Sequence, residues 1–373
     1  MSLQMRTIKP VVIILALAMI LLAAFNYFWQ RSIIQAEMQE RLRGAINATN
    51  NAVEDNLKLY QQMAGLIANT PTAAVIFNKG DRGALFQEYS GGYQYLKKNY
   101  GIKQFAFHKP PALFFLRLQQ PDMYGEDLSA IRKTIVHVNT NKVGVSGIEV
   151  GRTGLGLRGV EPIFLKGEHI GSVEFGGDIA PALNEAKKTF SVDIAILLSE
   201  ETAKLVETGW SRDDKAIGKY LTYYSTNAPL PASVLKADML SAAAASQEQF
   251  TVTQGAHGGK DYYIALSPVK DYAGKQIGLY AVFMDATDVL SKMRMALFIN
   301  LALYIAILGI IAYAISTSIR KTVIQPVLQL TDSANAISKG ELEQKIELAS
   351  DDELATLAKS IDRMRISLKK LLG

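Results

Sequence analysis

The sequence predicts an α+β protein that has two tandem modules and is anchored in a membrane by two helices. Three observations predict this class: an apolar stretch near each end of the chain, strand-like segments between them, and an internal repeat about 107 residues apart. The chain has 373 residues, 49% of them hydrophobic and 20% charged, so it is long enough for two or three domains and is not a disordered protein.

The composition excludes several classes of function. Forty Lys and Arg residues against 35 Asp and Glu leave a net charge of only +5, and the basic residues are scattered, so no nucleic-acid partner is predicted. The absence of cysteine excludes disulfides and thiolate metal sites. The four histidines have no ligand spacing, so the sequence predicts neither a metal site nor a cofactor.

Two segments are long and apolar enough to cross a bilayer. Residues 11–29 cover about 30 Å as a helix, and residues 295–316 form the second apolar stretch. A cleaved signal peptide is the alternative for the first segment, but its apolar stretch is longer than the usual signal region of about 7 to 15 residues. We therefore expect two transmembrane helices, preceded by a short cytoplasmic N-terminus at residues 1–10.

A long helix is predicted directly after the first span. Apolar or small residues recur at helical spacing from Ile34 to Met63, and Pro71 ends the pattern. Such a helix over residues 30–69 would be about 60 Å long. The sequence thus predicts a stalk helix that leads away from the membrane.

The internal repeat predicts two small modules between the spans. Each copy is a strand that ends near a proline, a turn with glycine, and a second strand that begins with Ile-Gly. The two copies are Pro162, Gly167, Ile170, Gly171 and Asp178, and then Pro268, Gly274, Ile277, Gly278 and Asp285. We expect a membrane-distal module at residues 70–180, with a helix at Asp127–Val138, and a membrane-proximal module at residues 187–287.

Two amphipathic helices follow the second span. Apolar residues step by three and four from Val323 to Ile337, Gly340 interrupts the pattern, and it resumes from Leu354 to Leu371. One chain cannot bury both apolar faces, so a parallel dimeric four-helix bundle is expected, with a solvated coiled coil near the membrane as the alternative.

The sequence of this last region resembles the HAMP linker of bacterial transmembrane receptors. The resemblance covers residues 319–372 and is carried by Gln325-Pro326-Val327, Gly340-Glu341-Leu342 with Ile346, and the run from Asp352 to Leu357. Because HAMP modules are cytoplasmic, the resemblance implies that both termini lie inside the cell. Residues 30–294 are then expected outside the inner membrane, in the periplasm or the extracellular space.

The region between the spans resembles the double Cache sensors of chemotaxis receptors and sensor histidine kinases, in the double sensory domain subgroup. This resemblance implies two PAS-like Cache modules on a stalk helix and a role in sensing outside the cytoplasm, but no particular ligand. The residues that carry it are Phe107-His108, Pro110-Pro111, Phe115-Leu116-Arg117, Tyr124 to Leu128, Glu149 to Arg152 and Gly159 to Pro162.

Gly154, Gly156 and Gly159 match a GxGxxG pattern, which alone is a weak sign of a dinucleotide site. Such a site needs a helix directly after the glycines, whereas Val160, Glu161 and Pro162 follow here. The sequence therefore predicts a strand or a β-bulge, in which the glycines give the backbone more conformational freedom.

Two arginines on predicted strands are the main candidates for binding a ligand. Alternation places Arg117 on one face with Leu113 and Phe115, and Arg158 beside Val160, where an unpaired charge would be costly. Structural pairs with Glu149, Glu161 or Glu174 are one interpretation; the other is a ligand carboxylate or another anion, which an arginine binds with two hydrogen bonds. The secondary candidates are His108, Tyr124, Arg132 and, for an amine, Asp127.

The functional prediction is a transmembrane signalling receptor rather than an enzyme. No nucleophile–base pair, phosphate-binding loop or kinase motif occurs in the sequence. The expected partners are a small-molecule ligand, the membrane, a second copy of the chain, and a cytoplasmic signalling domain or partner protein of chemotaxis or two-component type. The chain is then either the input half of a longer receptor or a complete subunit, and a membrane-anchored dimeric scaffold is the alternative function.

Overall fold

The computed structural model describes residues 3–207 and 216–372. The chain divides into two compact units. One is the sensor unit Ile34–Leu290, and the other combines Met1–Ile33 with Ser291–Gly373.

Helix α1 extends from Leu3 to Ala68 without interruption, so the first span and the predicted stalk are one helix. Within the sensor unit it buries Met38, Leu42, Ile46 and Tyr60 at spacings of three to four residues or their multiples. A single apolar stripe therefore fixes this helix against the rest of the unit.

The first module contains a five-stranded antiparallel sheet in the order β2-β1-β5-β4-β3. Two helices lead into it, and one helix follows β2. The elements are α2 (Pro71–Lys79), α3 (Arg82–Tyr100), β1 (Gln104–Lys109), β2 (Leu113–Arg117), α4 (Lys133–Asn141), β3 (Val145–Gly151), β4 (Gly154–Leu165) and β5 (Glu168–Gly177).

The second module repeats this arrangement with a six-stranded sheet in the order β7-β8-β6-β11-β10-β9. The hairpins β4–β5 and β10–β11 occupy equivalent places in the two sheets, which confirms the internal repeat. The elements are α5 (Ala180–Phe190), β6 (Asp193–Ser199), α6 (Glu200–Ala203), β7 (Ala216–Ile217), β8 (Tyr220–Ser225), α7 (Leu230–Val234), α8 (Ala237–Ala245), β9 (Thr251–His257), β10 (Lys260–Lys270) and β11 (Gln276–Asp285).

Helix α1 and both sheets share one hydrophobic core. At Gly159 on β4 the sheet approaches the helix so closely that a Cβ atom would overlap the backbone of Tyr60 and Gln61. Gly154, Gly156 and Gly159 all lie in β4, as the strand interpretation of the GxGxxG pattern predicts. On its other face the first sheet packs against α4 through a small apolar cluster that includes Ala106, Phe114, Ile135 and Val160.

Two local expectations were wrong. Helix α4 begins at Lys133 rather than Asp127, because Asp127 pairs with Leu113 beside β2 and its carboxylate accepts hydrogen bonds from Ser129. The second expectation was that Arg117 shares a face with Leu113 and Phe115. The register between β1 and β2 shifts at Phe107/His108 instead. This bulge puts Arg117 on the same face as Phe114 rather than Phe115.

The other unit contains the second span and two amphipathic helices. Helix α9 (Thr287–Ile319) continues through a short π-helical turn into α10 (Gln325–Ser338), and α11 (Glu353–Leu372) follows a connector. Gly340 has a φ of 91°, which explains why the first amphipathic helix stops there. Leu330, Ile337, Ile346 and Ala358 pack together between the helices and the connector.

Both predicted spans lie in helices that are long and apolar enough to cross a membrane. Their most apolar windows have mean hydropathies of 2.6 and 2.5, and none of either window is buried within the chain. Apolar surface of this extent on a helix requires lipid or other protein around it.

Candidate ligand-binding site

Buried charges collect on the face of the first sheet that α4 covers. Strand alternation places His108, Glu149, Arg158 and Glu174 on this face. Arg132, the residue directly before α4, extends its side chain to the same face. Charged side chains are rarely buried unless they are paired, so this group of five residues, here called the charge cluster, determines the chemistry of the face.

Arg132 is the centre of the charge cluster. Its Nε donates to Glu149 Oε2 at 2.6 Å and its Nη2 donates to Glu174, while the side chains of all three residues are at most 7% exposed. Glu149 also accepts the Thr134 backbone N–H at 2.7 Å and thereby caps the first turn of α4. Although burial opposes the charge, the two carboxylates raise the pKa of Arg132, so it stays cationic.

Arg158 lies flat on the sheet beside the same carboxylates. Its guanidinium occupies the space that a Cβ atom at Gly156 or Gly176 would need, so the two glycines make room for it. Its Nε is 3.5 Å from Glu174 Oε1, an ion-pair distance at which it makes no hydrogen bond. Burial and the nearby Arg132 lower the pKa of Arg158.

His108 is completely buried at the edge of the charge cluster. Its Nε2 lies 3.5 Å from Glu174 Oε2, and its ring centroid is 4.7 Å from that of Phe114. Burial, followed by the charges of Arg132 and Arg117, holds the pKa of His108 well below its usual value. The imidazole is therefore neutral at pH 7 and adds no charge to two arginines and two glutamates.

Arg117 is buried next to the charge cluster but has a different carboxylate partner. Its guanidinium carbon lies 3.5 Å from the centroid of the Phe114 ring, and its Nη2 bonds to Glu126. Glu126 also accepts from Arg152 Nη1 at 3.2 Å and is about one-third exposed. None of the three acidic residues considered from the sequence is the partner of Arg117; Glu126 in the following loop is.

The structure does not bring Tyr124 and Asp127 into the buried group. Tyr124 is 56% exposed, and Arg82 stacks on its ring at 3.1 Å from the centroid. The Asp127 carboxylate accepts from the side chain and the backbone of Ser129, which lowers its pKa. Both residues belong to the loop after β2, which also carries Glu126.

The sequence interpretation missed Glu126 and Arg152 as members of the site. Glu126 lies within the Tyr124–Leu128 stretch that carries the family resemblance, and Arg152 follows Gly151 at the end of β3. The sequence does contain a signal for Glu126, since it is an acidic residue only nine positions after Arg117. No periodicity selects it, however, because it lies outside helix and strand.

Buried polar atoms without hydrogen-bond partners are concentrated on this face and on α4. Such atoms are uncommon in folded proteins, because a buried polar atom normally bonds to protein, ordered water or another bound molecule. They are His108 Nδ1 and Nε2, Arg117 Nε, Thr134 Oγ1, Asn139 Oδ1, Arg158 Nε and Ser172 Oγ.

The equivalent face of the second sheet is filled by apolar side chains. Helices α7 and α8 cover it, and the cluster beneath them contains Leu197, Leu240, Ile264 and Phe283. Within residues 3–207 and 216–372, no group of histidine, aspartate and glutamate is arranged to hold a metal ion. The two modules thus differ in chemistry although they share a topology.

Comparisons with known proteins identify the same two parts of the chain. A family model described as "Double sensory domain of two-component sensor kinase" matches residues 35–290, and a HAMP domain model matches residues 318–370. The comparison with curated protein sequences gives no significant match.

Solved sensor domains are similar to this chain at low identity. The sensory domain of the Campylobacter jejuni chemoreceptor Tlp3 with isoleucine bound is 12% identical, with a TM-score of 0.44, and the match covers 69% of this chain and 96% of that one. The sensor domain of the V. cholerae histidine kinase DctB is 10% identical, with a TM-score of 0.40, over 67% and 98% of the two chains.

The sensor unit therefore lies outside the cytoplasm and the HAMP domain lies inside, with the two spans between them in the inner membrane. The first family model matches more than half of the chain. The protein belongs to the double Cache family of sensors described as double sensory domains of two-component sensor kinases, and with its HAMP domain it is a transmembrane signal-transducing receptor.

Proposed function

We propose that this receptor senses a small carboxylate or another small anion, and that the first module binds it. The observation that carries the proposal is the concentration of unpartnered buried polar atoms around His108, Arg117 and Arg158. The apolar filling of the equivalent face in the second module supports the choice of the first.

Arg117 is the proposed anion clamp, with Arg158 in support. The charge cluster already balances two arginines with two glutamates, so it has no spare positive charge of its own. Arg117 instead pairs with Glu126, whose loop position leaves it partly exposed. Glu126 bonds to Arg117 through one oxygen only, and Arg117 Nε has no hydrogen-bond partner. A ligand carboxylate would replace that of Glu126 and bind the guanidinium through both of its oxygens. His108 and Arg132 would then line the site, and Tyr124 and Asp127 would approach only through movement of their loop.

Ligand-induced stabilisation of the purified sensor unit tests the proposal. The screen covers mono- and dicarboxylates, amino acids and inorganic phosphate. A ligand at 100 times its dissociation constant should add about 2.7 kcal/mol to the free energy of unfolding. Arg117→Ala should abolish that gain, whereas Arg43→Ala, which removes an exposed arginine of the stalk, should keep it.

Glu126→Gln tests the proposed role of Arg117 by a variant that should strengthen ligand binding rather than abolish it. Because it removes the carboxylate that competes for Arg117, the variant should bind the same ligand at least several-fold more tightly. A folded Arg117→Ala variant that binds within threefold of the parent affinity would show that Arg117 belongs to a structural pair only.

We further propose that the receptor acts as a homodimer and drives a cytoplasmic output of chemotaxis or two-component type. In α11, Leu357 is 48% exposed and Met364 is 50% exposed, seven residues apart on one side of the helix. A parallel partner helix would cover both.

Cross-linking tests the dimer. Met364→Cys should form a disulfide between copies in membranes, whereas the exposed control Lys359→Cys should form far less. Equal cross-linking of the two variants would contradict a parallel dimer with this face of α11 at its interface.

A further inference from the structure

The two modules meet at the turn between β10 and β11. The Tyr272 backbone N–H donates to the Ile148 carbonyl at 2.8 Å, and the Tyr272 ring stands edge-on to His137 at 5.8 Å between centroids. A Cβ atom placed on Gly147 would lie only 2.8 Å from Tyr272 Cβ and Cδ2. Glycine at position 147 therefore provides the space into which the tyrosine fits.

Strand β3 connects this contact directly with the charge cluster. Gly147 and Ile148 contact Tyr272, and the next residue, Glu149, bonds to Arg132 and caps α4. Gly147 and Glu149 point to the same face of the strand. His137, the third contact of Tyr272, lies on the helix that Glu149 caps. A change in the pairing of Glu149 thus acts on the strand and on the helix of the first module that Tyr272 contacts.

In the second module, the turn that carries Tyr272 is followed by β11, and β11 is followed by the helix of the second span. Tyr272 lies in the turn before β11, and β11 is bonded to β6 on one side and β10 on the other. Only Ala286 separates the end of β11 at Asp285 from the start of α9 at Thr287. A strand held on both sides moves as one body with its sheet, so a shift of the turn is carried to the beginning of α9.

The contact also has room to move. A cavity of about 610 Å³ lies between the modules, and its lining includes Glu149, Tyr272 and Leu205. The Tyr272 ring is therefore fixed by Gly147 and His137 on one side and borders open space on another.

We infer that Tyr272 is the coupling residue of this receptor: it transmits a change in the charge cluster, through Gly147 and Ile148, to β11 and the second span. The inference rests on the proposed function of the first module as the sensory module, and it adds the residue through which the signal leaves that module. Coupling of this kind requires that the contact has two arrangements and that the charge cluster biases them.

Hydrogen exchange on the full chain in lipid nanodiscs tests the inference without any ligand. Glu149→Gln is the perturbation, since it keeps the side-chain shape and removes the charge that pairs with Arg132. Mass spectrometry follows the peptides that cover residues 271–285 and the first turn of α9. We expect exchange in residues 271–277 to rise at least threefold relative to the parent chain.

Two variants at one position distinguish the contact from other routes. Tyr272→Phe keeps the ring and the backbone bond, and Glu149→Gln should affect residues 271–277 in that background as in the parent. Tyr272→Ala removes the ring, and the effect should fall below 1.5-fold. Tyr223→Phe is the control, because the Tyr223 hydroxyl accepts another hydrogen bond between the modules, from the Leu155 N–H at 3.0 Å. This variant should transmit normally.

Gly147→Ala gives the same test from the first module and takes the place of Tyr272→Ala if that variant does not fold. It should displace the ring and reduce transmission to the same degree. The inference is overturned if Glu149→Gln leaves residues 271–285 unchanged in the parent chain, or if its effect persists in Tyr272→Ala or Gly147→Ala. None of these outcomes depends on the ligand, so loss of the Arg117 clamp proposal would leave this test intact.

Discussion

Removal of Arg132 is the perturbation whose cost the structure defines most clearly. Arg132→Met keeps the apolar part of the side chain but leaves Glu149 and Glu174 buried without their shared cation, and these carboxylate side chains are 6% and 0% exposed. Breaking a buried ion pair by removing one partner typically costs about 3 to 5 kcal/mol. Since a whole domain is stable by only about 5 to 15 kcal/mol, the loss should be large.

Urea unfolding of the purified Ile34–Leu290 unit, followed by circular dichroism at pH 7, measures the loss. Lys133→Met is the matched control, because it changes the exposed neighbour and should alter stability by no more than about 0.5 kcal/mol. Glu149→Gln in the Arg132→Met background should restore part of the loss. A cost below about 1 kcal/mol at pH 7 would refute the assignment of Arg132 as the essential cation.

Three further predictions follow from the structure. Burial lowers the pKa of His108 on folding, so the folded protein binds fewer protons than the unfolded chain below about pH 6.5. The free energy of unfolding should therefore decrease by about 1.4 kcal/mol for each pH unit below that value. His108→Leu should flatten this pH profile, and exposed His257→Leu should not. Gly159→Ala should destabilise the sensor unit by more than about 2 kcal/mol, because its Cβ would overlap the α1 backbone, whereas Gly91→Ala in an open part of α3 should be neutral or stabilising, as calorimetry can show. A membrane-impermeant maleimide should label Gln247→Cys in intact cells and Ser350→Cys only after permeabilisation; the reverse pattern would contradict the topology.

The sequence by itself determined the organisation of this protein. The two apolar stretches and the heptads around Gly340 are local patterns, because hydrophobic spacing reports which face of a single element must be buried. The repeated proline, glycine and Ile-Gly positions were enough to define two hairpins, and the structure has both as β4–β5 and β10–β11. The sequence also identified Arg117 and Arg158 as charges that need partners.

Only the tertiary structure decided which partners they have. A single extra residue in β2 places Arg117 on the sheet face opposite to the one that alternation predicts. Asp127 lies in an extended loop, so α4 begins only at Lys133. Arg132 became the centre of the charge cluster because it meets Glu149 and Glu174 from two different strands. Charge pairs between distant segments have no period in the sequence, since they depend on how strands are ordered in the sheet. That order is set by the packing of the whole unit, and it also brings Tyr272 of the second module onto Gly147 of the first.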